Sequence, residues 1–224
     1  MMLSEEKWII EQDKFEVSPV KETLFTLTNG YIGVRGTFED LFYNETPGTY
    51  VAGIFNKLES NVKELVNLPY FWGLRIYIKN EYLNPLNCKI LEFKRVLDMK
   101  QGILYKKIRL KDSRGRITKI EGFRFISLKR RNLALMRYSI TPENYKDRIT
   151  IESFIDGNTI NTSNNPKEKA KHYILENTLA LENEIYVEAI TRDKKNIVSI
   201  ISSNDFNDKF FYRNTKNNIN FLSE

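Results

Sequence analysis

The sequence predicts an all-β protein, a large antiparallel β-sandwich with few short helices. Apolar and polar residues alternate in about twelve segments spaced about ten residues apart, which is typical of large sandwiches. Clusters of Gly, Pro, Asn and Asp separate these segments and indicate turns. No long segment has sustained helical periodicity. The twelve Tyr and fourteen Phe also favour strands over helices.

The first elements are two strands joined by a tight turn. Residues 8–15 predict a first strand. Residues 22–28 alternate, with Phe25 and Leu27 on one face, and predict a second. Asn29 and Gly30 follow, and this pair is a strong hairpin signal because both residues tolerate positive φ. Residues 31–37 are therefore expected to return as the next strand.

The middle of the chain changes from irregular to regular. Residues 39–69 are looser, with a turn at Pro47-Gly48 and a short apolar strand at 50–55. An aromatic cluster follows and leads into a strand at 75–78. From residue 88 onward the strands follow one another at regular intervals. Those predicted are 90–98, 102–111, 117–128, 133–141 and 149–155.

The last part of the chain begins with a polar excursion. Residues 158–172 are rich in Asn, Thr, Ser and Lys, and 164–171 have the composition for one helical turn. Strands resume at once, with a hairpin predicted over 173–181 and 185–191 and a strand at 197–202. We therefore assign residues 1–224 to one domain.

Composition and charge exclude several classes of function. The net charge of +6 is modest, and the basic residues are scattered rather than clustered on one face, so no nucleic-acid partner is expected. The one dense run, Lys129-Arg130-Arg131, is predicted to be a solvated turn. The single cysteine, Cys88, excludes an internal disulfide framework and fits a reducing compartment. The charged amino terminus and the lack of a long apolar run predict a cytoplasmic protein without a membrane partner.

The residues that could carry out catalysis form no convincing site. Glu39 and Asp40 could be paired, but neighbours in a strand point to opposite faces, and the carboxylates are expected at the solvated surface. The only histidine, His172, lies in the polar excursion and is expected to be exposed. One His and one Cys cannot form a typical zinc site, so no metal and no cofactor are expected. No catalytic residue is assigned.

One aromatic cluster is a candidate for contact with a ligand or another domain. Tyr70, Phe71 and Trp72 are consecutive, so their side chains alternate in direction and at least one should point away from the core. Aromatic faces suit sugar rings and are also common at interfaces. These three residues are the carbohydrate or interface candidates, and burial in the sandwich is the alternative.

Several sequence motifs follow one another in order along nearly the whole chain. The first and most specific is ETLFTLTNGYIGVRGTFE at residues 22–39. The shorter ones are GTYVAGIFN at 48–56, ELVNLP at 64–69, WGL at 72–74, RVLDMKQG at 95–102, RFISL at 124–128, RYSITP at 137–142 and IDGN at 155–158. Together these motifs resemble the amino-terminal domain of glycoside hydrolase family 65, which includes maltose, trehalose and kojibiose phosphorylases.

The resemblance implies a galactose mutarotase-like β-supersandwich that precedes a catalytic (α/α)6 barrel. In such full-length proteins the barrel carries a glutamate general acid and a phosphate site. Phosphate attacks the anomeric carbon with inversion and releases β-glucose 1-phosphate. The barrel is expected to be absent from this chain, so the chain alone is expected to be inactive.

Three functions remain open at this point. The resemblance favours a noncatalytic domain that supports the barrel, as part of the same chain or as a separate one, and the interface of a homodimer. The aromatic cluster leaves open a free carbohydrate-binding module with a weak sugar ligand. A mutarotase-like epimerase on the same fold would typically use more than one histidine, which disfavours it. A domain that supports a barrel should also expose an apolar patch.

Overall fold

The structure, a computed structural model, describes residues 8–42, 44–58, 62–162, 170–181, 183–206, 210–215 and 218–223. It has one short helix and strands throughout. These elements are β1 (Ile9–Gln12), α1 (Pro19–Leu24), β2 (Leu27–Thr28), β3 (Ile32–Val34), β4 (Thr49–Val51), β5 (Phe55–Asn56), β6 (Glu64–Leu65), β7 (Tyr70–Ile78), β8 (Glu81–Tyr82), β9 (Lys89–Asp98), β10 (Ile103–Lys111), β11 (Ile117–Ile126), β12 (Ala134–Pro142), β13 (Ile149–Asp156), β14 (Tyr173–Leu181), β15 (Glu184–Thr191), β16 (Ile197–Ser203), β17 (Phe210–Thr215) and β18 (Asn218–Ser223).

The described residues fall into two compact units. The first lies within residues 1–37 and 83–147, and the second lies within 38–82 and 148–224. The predicted all-β antiparallel fold is confirmed. The assignment of residues 1–224 to a single domain stays a prediction.

The first unit is built on one five-stranded sheet in the order β1-β9-β10-β11-β12, antiparallel throughout. Successive residues of a strand point to opposite faces. On this sheet the residues of one face are buried and mostly apolar. Two arginines lie among these apolar side chains and both donate to backbone carbonyls. Arg95 donates to Gly36 O at 2.6 Å, and Arg124 donates to Thr37 O at 2.7 Å.

The predicted hairpin at Asn29-Gly30 is confirmed in the first unit. β2 pairs with β3, and Gly30 has a φ of 81°. Asn29 Oδ1 accepts hydrogen bonds from the backbone N–H groups of Tyr31 and Ile32 and so closes the loop. Asn29 Nδ2 donates to Ser127 O and Arg131 O, 2.7 and 2.9 Å away. One side chain therefore joins this loop to the connection between β11 and β12.

The strand predicted over residues 22–28 is wrong in its first half. Helix α1 begins at Pro19, after the N-cap residue Ser18, and continues to Leu24. Residues 22–24 of the predicted strand are therefore helical. Proline at the start of a helix is favoured because its φ is helical and its missing N–H has no partner to lose there. The strand begins only at Leu27.

The second unit is a sandwich of two sheets. One sheet has the order β17-β18-β13-β7-β8 and the other has the order β14-β15-β16. Ile155 of β13 packs with Ile185 and Val187 of β15, and the half-buried Phe71 and Leu175 pack against this cluster. A second cluster joins Val66, Leu68, Tyr173 and Ala189. Burial of the first cluster holds the two sheets together, and burial of the second holds the segment before β7 against β14 and β15.

Most of the other predicted strands are confirmed to within about two residues, which is the usual scatter of strand ends. The exposed turn at Lys129-Arg130-Arg131 is also confirmed. The predicted helical turn at 164–171 includes residues 164–169, which lie outside the described residues. No helix among the described residues is long and apolar enough to cross a membrane.

Candidate functional site

The aromatic candidates lie at the start of β7 and are largely buried. Tyr70 is 0% exposed and Trp72 is 3% exposed. Phe71 points to the other side of the strand, as the alternation predicts, but it packs against the cluster that contains Ile155. Its ring meets that of Trp72 edge to face, with centroids 5.1 Å apart. Contact of this segment with a carbohydrate or another domain stays a prediction.

Close packing between β7 and β13 fixes this part of the second unit. Gly73 lies opposite Phe154, and a Cβ at Gly73 would lie 2.5 Å from the Phe154 ring and 2.6 Å from its carbonyl oxygen. Only glycine fits there. The guanidinium carbon of Arg75 lies 4.4 Å from the centroid of the Phe154 ring.

A polar cluster lies farther along the same strand pair. Arg75 Nη1 lies 3.4 Å from Glu152 Oε2, and the Tyr77 hydroxyl donates to the same oxygen at 2.9 Å. The Tyr82 hydroxyl donates to Asp40 Oδ1 at 2.8 Å, and Arg75 Nε donates to the carbonyl oxygen of Asp40 at 3.3 Å. The arginine therefore links two phenol–carboxylate pairs.

The electrostatics of this cluster keep both phenols protonated. Burial, together with the hydrogen bond to the Glu152 carboxylate, raises the pKa of Tyr77 to about 12. Burial and the Asp40 carboxylate raise the pKa of Tyr82 further. The phenols are thus permanent donors and the carboxylates are acceptors. Groups that satisfy one another in this way hold a strand pair together and are not poised for acid–base catalysis.

The expected solvation of Glu39 is wrong, because Glu39 is 4% exposed. Asp40 is half-buried. The carbonyl oxygen of Glu39 accepts a hydrogen bond from Leu74 N at 3.0 Å, which draws this segment against β7. Both residues contact β7 residues that lie more than 30 positions later in the sequence. Local alternation does not reveal such contacts.

The expected exposure of His172 is also wrong. His172 is 1% exposed and lies between Asn56 and Glu64. Its Nδ1 lies 3.1 Å from Asn56 Nδ2, and its Nε2 lies 3.6 Å from Glu64 Oε2. Burial lowers the pKa of His172, the Glu64 carboxylate opposes this, and Arg192 adds to it. Within the part of the chain that the structure describes, Nε2 has no hydrogen-bond partner.

Sequence reasoning missed the polar cluster, although part of its signal was present. Arg75 and Tyr77 alternate with Ile76 and Ile78, so their side chains must lie on the same face of the strand. Their partner Glu152 was not identifiable because the pairing of β7 with β13 joins residues 77 positions apart. Among the described residues, no group of three or more His, Cys, Asp or Glu could hold a metal ion.

Comparisons with known proteins agree on one family. A family model described as glycosyl hydrolase family 65, N-terminal domain, matches residues 10–221. The kojibiose phosphorylase of Caldanaerobacter subterraneus subsp. tengcongensis is 42% identical over 205 residues, which are 90% of this chain and 27% of that protein. The kojibiose phosphorylase of Thermoanaerobacter brockii is 43% identical over 195 residues, 86% of this chain and 25% of that protein.

A solved structure has the same fold. A putative kojibiose phosphorylase from the human microbiome matches with a TM-score of 0.81 at 19% identity, over 98% of this chain and 30% of that one. The chain thus spans about a quarter of the length of the curated relatives it matches.

Proposed function

Because the chain belongs to the glycosyl hydrolase family 65 N-terminal domain family, we propose that it is the noncatalytic N-terminal domain of a disaccharide phosphorylase. In this proposal the domain supports a catalytic (α/α)6 barrel and contributes to a homodimer interface in the cytoplasm. The barrel performs inverting phosphorolysis of an α-glucosyl disaccharide and releases β-glucose 1-phosphate.

The observation that carries the proposal is the extent of the family match. Residues 10–221 match the N-terminal domain model, while two relatives that are phosphorylases are about four times as long as the matched region. The geometry supports a noncatalytic role. In the polar cluster around Arg75 and in the group around His172, the carboxylates accept hydrogen bonds from neighbouring side chains, Glu152 from Tyr77 and Glu64 from Asn161. Neither cluster presents the acid and attacking group that cleavage of a glycosidic bond requires.

The first experiment tests whether the chain acts alone. The purified chain is incubated with phosphate and kojibiose, maltose or trehalose, and glucose 1-phosphate is measured. We expect none. Release of glucose 1-phosphate above the no-enzyme control would overturn the noncatalytic assignment. Kojibiose is the first substrate to test, since two relatives at 42 and 43% identity are kojibiose phosphorylases.

The second experiment tests whether the chain serves as this domain. The chain replaces the matched residues of the Caldanaerobacter kojibiose phosphorylase, and the same enzyme without those residues is the control. We expect the chimera to phosphorolyse kojibiose and the shortened enzyme to be inactive. An inactive chimera contradicts the proposal. Sedimentation velocity of the active chimera tests the dimer.

The alternative of a free carbohydrate-binding module has a separate readout. Calorimetric titration of the chain with millimolar kojibiose is expected to give no binding heat. If the wild type gives binding heat and the Trp72→Ala variant gives none, the result would favour a carbohydrate-binding module. The burial of Tyr70 and Trp72 disfavours this result, because a stacked sugar needs an exposed ring face.

A further inference from the structure

The first unit has a sheet face that carries two cross-strand rows of mostly apolar side chains. In an antiparallel sheet, residues directly opposite one another lie on the same face. Strand register defines the first row as Ile9, Asp98, Ile103, Phe125 and Leu135, and the second as Glu11, Val96, Tyr105, Phe123 and Arg137. We call these two rows and the charged rows beside them the Tyr105 face.

The aromatic residues of this face form a continuous, partly exposed group. The ring of Phe123 lies 6.2 Å from Tyr105 and 6.5 Å from Phe125, centroid to centroid. Tyr105 is 37% exposed and Leu135 is 41% exposed. A groove of about 450 Å³ is lined by Tyr105, Phe123 and the side chains around them. Contiguous apolar surface of this kind commonly marks an interaction site.

Charged side chains border the apolar rows, and most of them are already paired. Lys94 Nζ lies 3.1 Å from Glu11 Oε1, Lys107 Nζ lies 2.6 Å from Glu92 Oε1, and Lys119 Nζ lies 2.9 Å from Glu121 Oε2. Asp98 accepts hydrogen bonds from the backbone N–H and the side-chain amide of Gln101. The carboxylates of the Tyr105 face are therefore occupied.

Arg137 differs from the other cations of this face. It lies at the end of the second row, opposite Phe123, and it lines the groove. Its guanidinium has no ion-pair or hydrogen-bond partner among the side chains that the structure describes. Aromatic residues and arginine are the types most enriched at the centres of protein interfaces, with polar residues at the rim.

We propose that the Tyr105 face is the surface on which the remaining polypeptide of a full-length phosphorylase docks, with a carboxylate of that polypeptide bound to Arg137. The inference rests on the proposed function, because it takes the partner to be the three-quarters of the relatives that this chain does not match. It deepens that function by naming the surface and the charge that the partner must supply.

Charge complementarity disfavours a second copy of the chain as the occupant. In a symmetric dimer through this face, each Arg137 would meet the same face of the partner. The carboxylates of that face are held by Lys94, Lys107, Lys119 and Gln101. A partner with a free carboxylate and an apolar surface fits better.

The size of the face agrees with a contact between domains. Strands lie about 4.8 Å apart and rows about 6.8 Å apart, and β1 reaches only two of the four rows, so the face spans roughly 590 Å². Covering this area from both sides buries roughly 1,200 Å², which is within the range of about 600 to 1,500 Å² for interfaces between domains of one chain. It is at the low end for stable complexes of separate chains, which bury about 1,600 Å².

The experiment uses the chimera of this chain with the Caldanaerobacter enzyme and two pairs of variants. Arg137→Glu is compared with Lys129→Glu, which makes the same charge change in the exposed turn outside the face. Phe123→Ser is compared with Leu128→Ser, which removes an exposed apolar side chain outside the face. We expect Arg137→Glu and Phe123→Ser to shorten the half-life of the chimera on heating about tenfold or more, as loss of a central interface residue does. The two controls should leave the half-life within about twofold.

Measurements on the chain alone separate folding from docking. Arg137→Glu should leave the thermal unfolding midpoint of the isolated chain unchanged, so a lower midpoint there contradicts a role in docking. An active chimera that does not respond to Arg137→Glu and Phe123→Ser overturns the inference and leaves the proposed function intact. An inactive chimera overturns the proposed function and the inference with it.

Two further outcomes would identify a different occupant and overturn the inference. If the isolated chain sediments as a dimer and the Phe123→Ser variant sediments as a monomer, a second copy binds this face. If titration with kojibiose gives binding heat and the Phe123→Ser variant gives none, a saccharide binds this face.

Discussion

His172 Nδ1 accepts a hydrogen bond from Asn56 Nδ2 across 3.1 Å. The direction of this bond is fixed, because Asn56 Oδ1 already accepts the backbone N–H of Asp193 at 3.0 Å. A neutral imidazole that accepts at Nδ1 carries its proton on Nε2. That proton points toward Glu64 Oε2, 3.6 Å from Nε2 and too far for a good hydrogen bond. A second proton on Nδ1 would face an amide donor, so the site favours the neutral ring.

This geometry predicts that His172 destabilises the fold at acidic pH. Burial lowers the pKa of His172, so as pH falls through about 6.5 the unfolded chain takes up a proton that the folded chain does not. The free energy of unfolding therefore decreases below that pH and levels off below the folded-state pKa. Each unit of pKa difference corresponds to about 1.4 kcal/mol.

The measurement compares urea unfolding at pH 7.5 and pH 5 for the wild type and for His172→Asn. The asparagine keeps an acceptor near Nδ1 but does not titrate, and His172 is the only histidine in the chain. We expect a smaller loss of stability in the variant. Equal losses in the two proteins would contradict the prediction.

Asn29 joins two loops of the first unit, and its amide group cannot be replaced by a carboxylate. Asn29→Asp keeps the oxygen that accepts from Tyr31 and Ile32 but places a second oxygen against the carbonyls of Ser127 and Arg131. We expect about 2 to 3 kcal/mol of destabilisation in chemical denaturation, since two hydrogen bonds become repulsive contacts.

The matched control is Asn84→Asp, whose side-chain oxygen accepts from Leu86 N while its amide makes no described hydrogen bond. It should cost less than about 0.5 kcal/mol. Similar costs at the two positions would argue against the loop-joining role of Asn29.

Two glycines of the segment 30–36 should respond differently to an added methyl group. A Cβ at Gly36 would lie 2.4 Å from Phe25 Cβ and 2.6 Å from the Phe25 carbonyl oxygen, whereas a Cβ at Gly33 would lie 3.8 Å from its nearest neighbour. Gly36→Ala must displace backbone and should cost about 3 kcal/mol or more, or prevent folding. Gly33→Ala should stay within about 1 kcal/mol of the wild type. Thermal unfolding by circular dichroism measures both, and a mild effect of Gly36→Ala would show that the close approach is absent in solution.

The buried guanidinium of Arg124 predicts intolerance of lysine. Arg124 is 2% exposed and donates to Thr37 O at 2.7 Å. Lysine keeps the charge but lacks the planar group of donors. Arg124→Lys should lower the free energy of unfolding by about 2 to 3 kcal/mol, while Arg130→Lys in the exposed turn should leave it unchanged within about 0.5 kcal/mol. Denaturant titration decides, and equal stability of Arg124→Lys and the wild type would contradict the buried role.

Local patterns were sufficient to predict most of the strands but not the partners of polar side chains. Alternation located β9 to β16 because one face of each strand faces apolar neighbours, and this leaves a period of two in the sequence. The same rule wrongly extended the second strand over residues 22–26, since apolar alternation there coincides with a short helix begun by Ser18-Pro19. Proline after a capping residue is a local signal for a helix start, and Ser18-Pro19 carries it.

The sequence by itself determined the fold class and the family, because strand alternation and turn chemistry are local properties and the signature at 22–39 is a contiguous segment. The tertiary structure alone decided which polar residues are buried and what they contact. His172 is enclosed by Asn56, 116 positions away, and Glu152 meets Tyr77 across 75 positions. The order of strands in a sheet decides which residues, distant in sequence, come into contact. Alternation of apolar and polar residues carries no information on that order. The Tyr105 face arose in the same way, since Val96, Tyr105, Phe123 and Arg137 become one row only through the register of four strands.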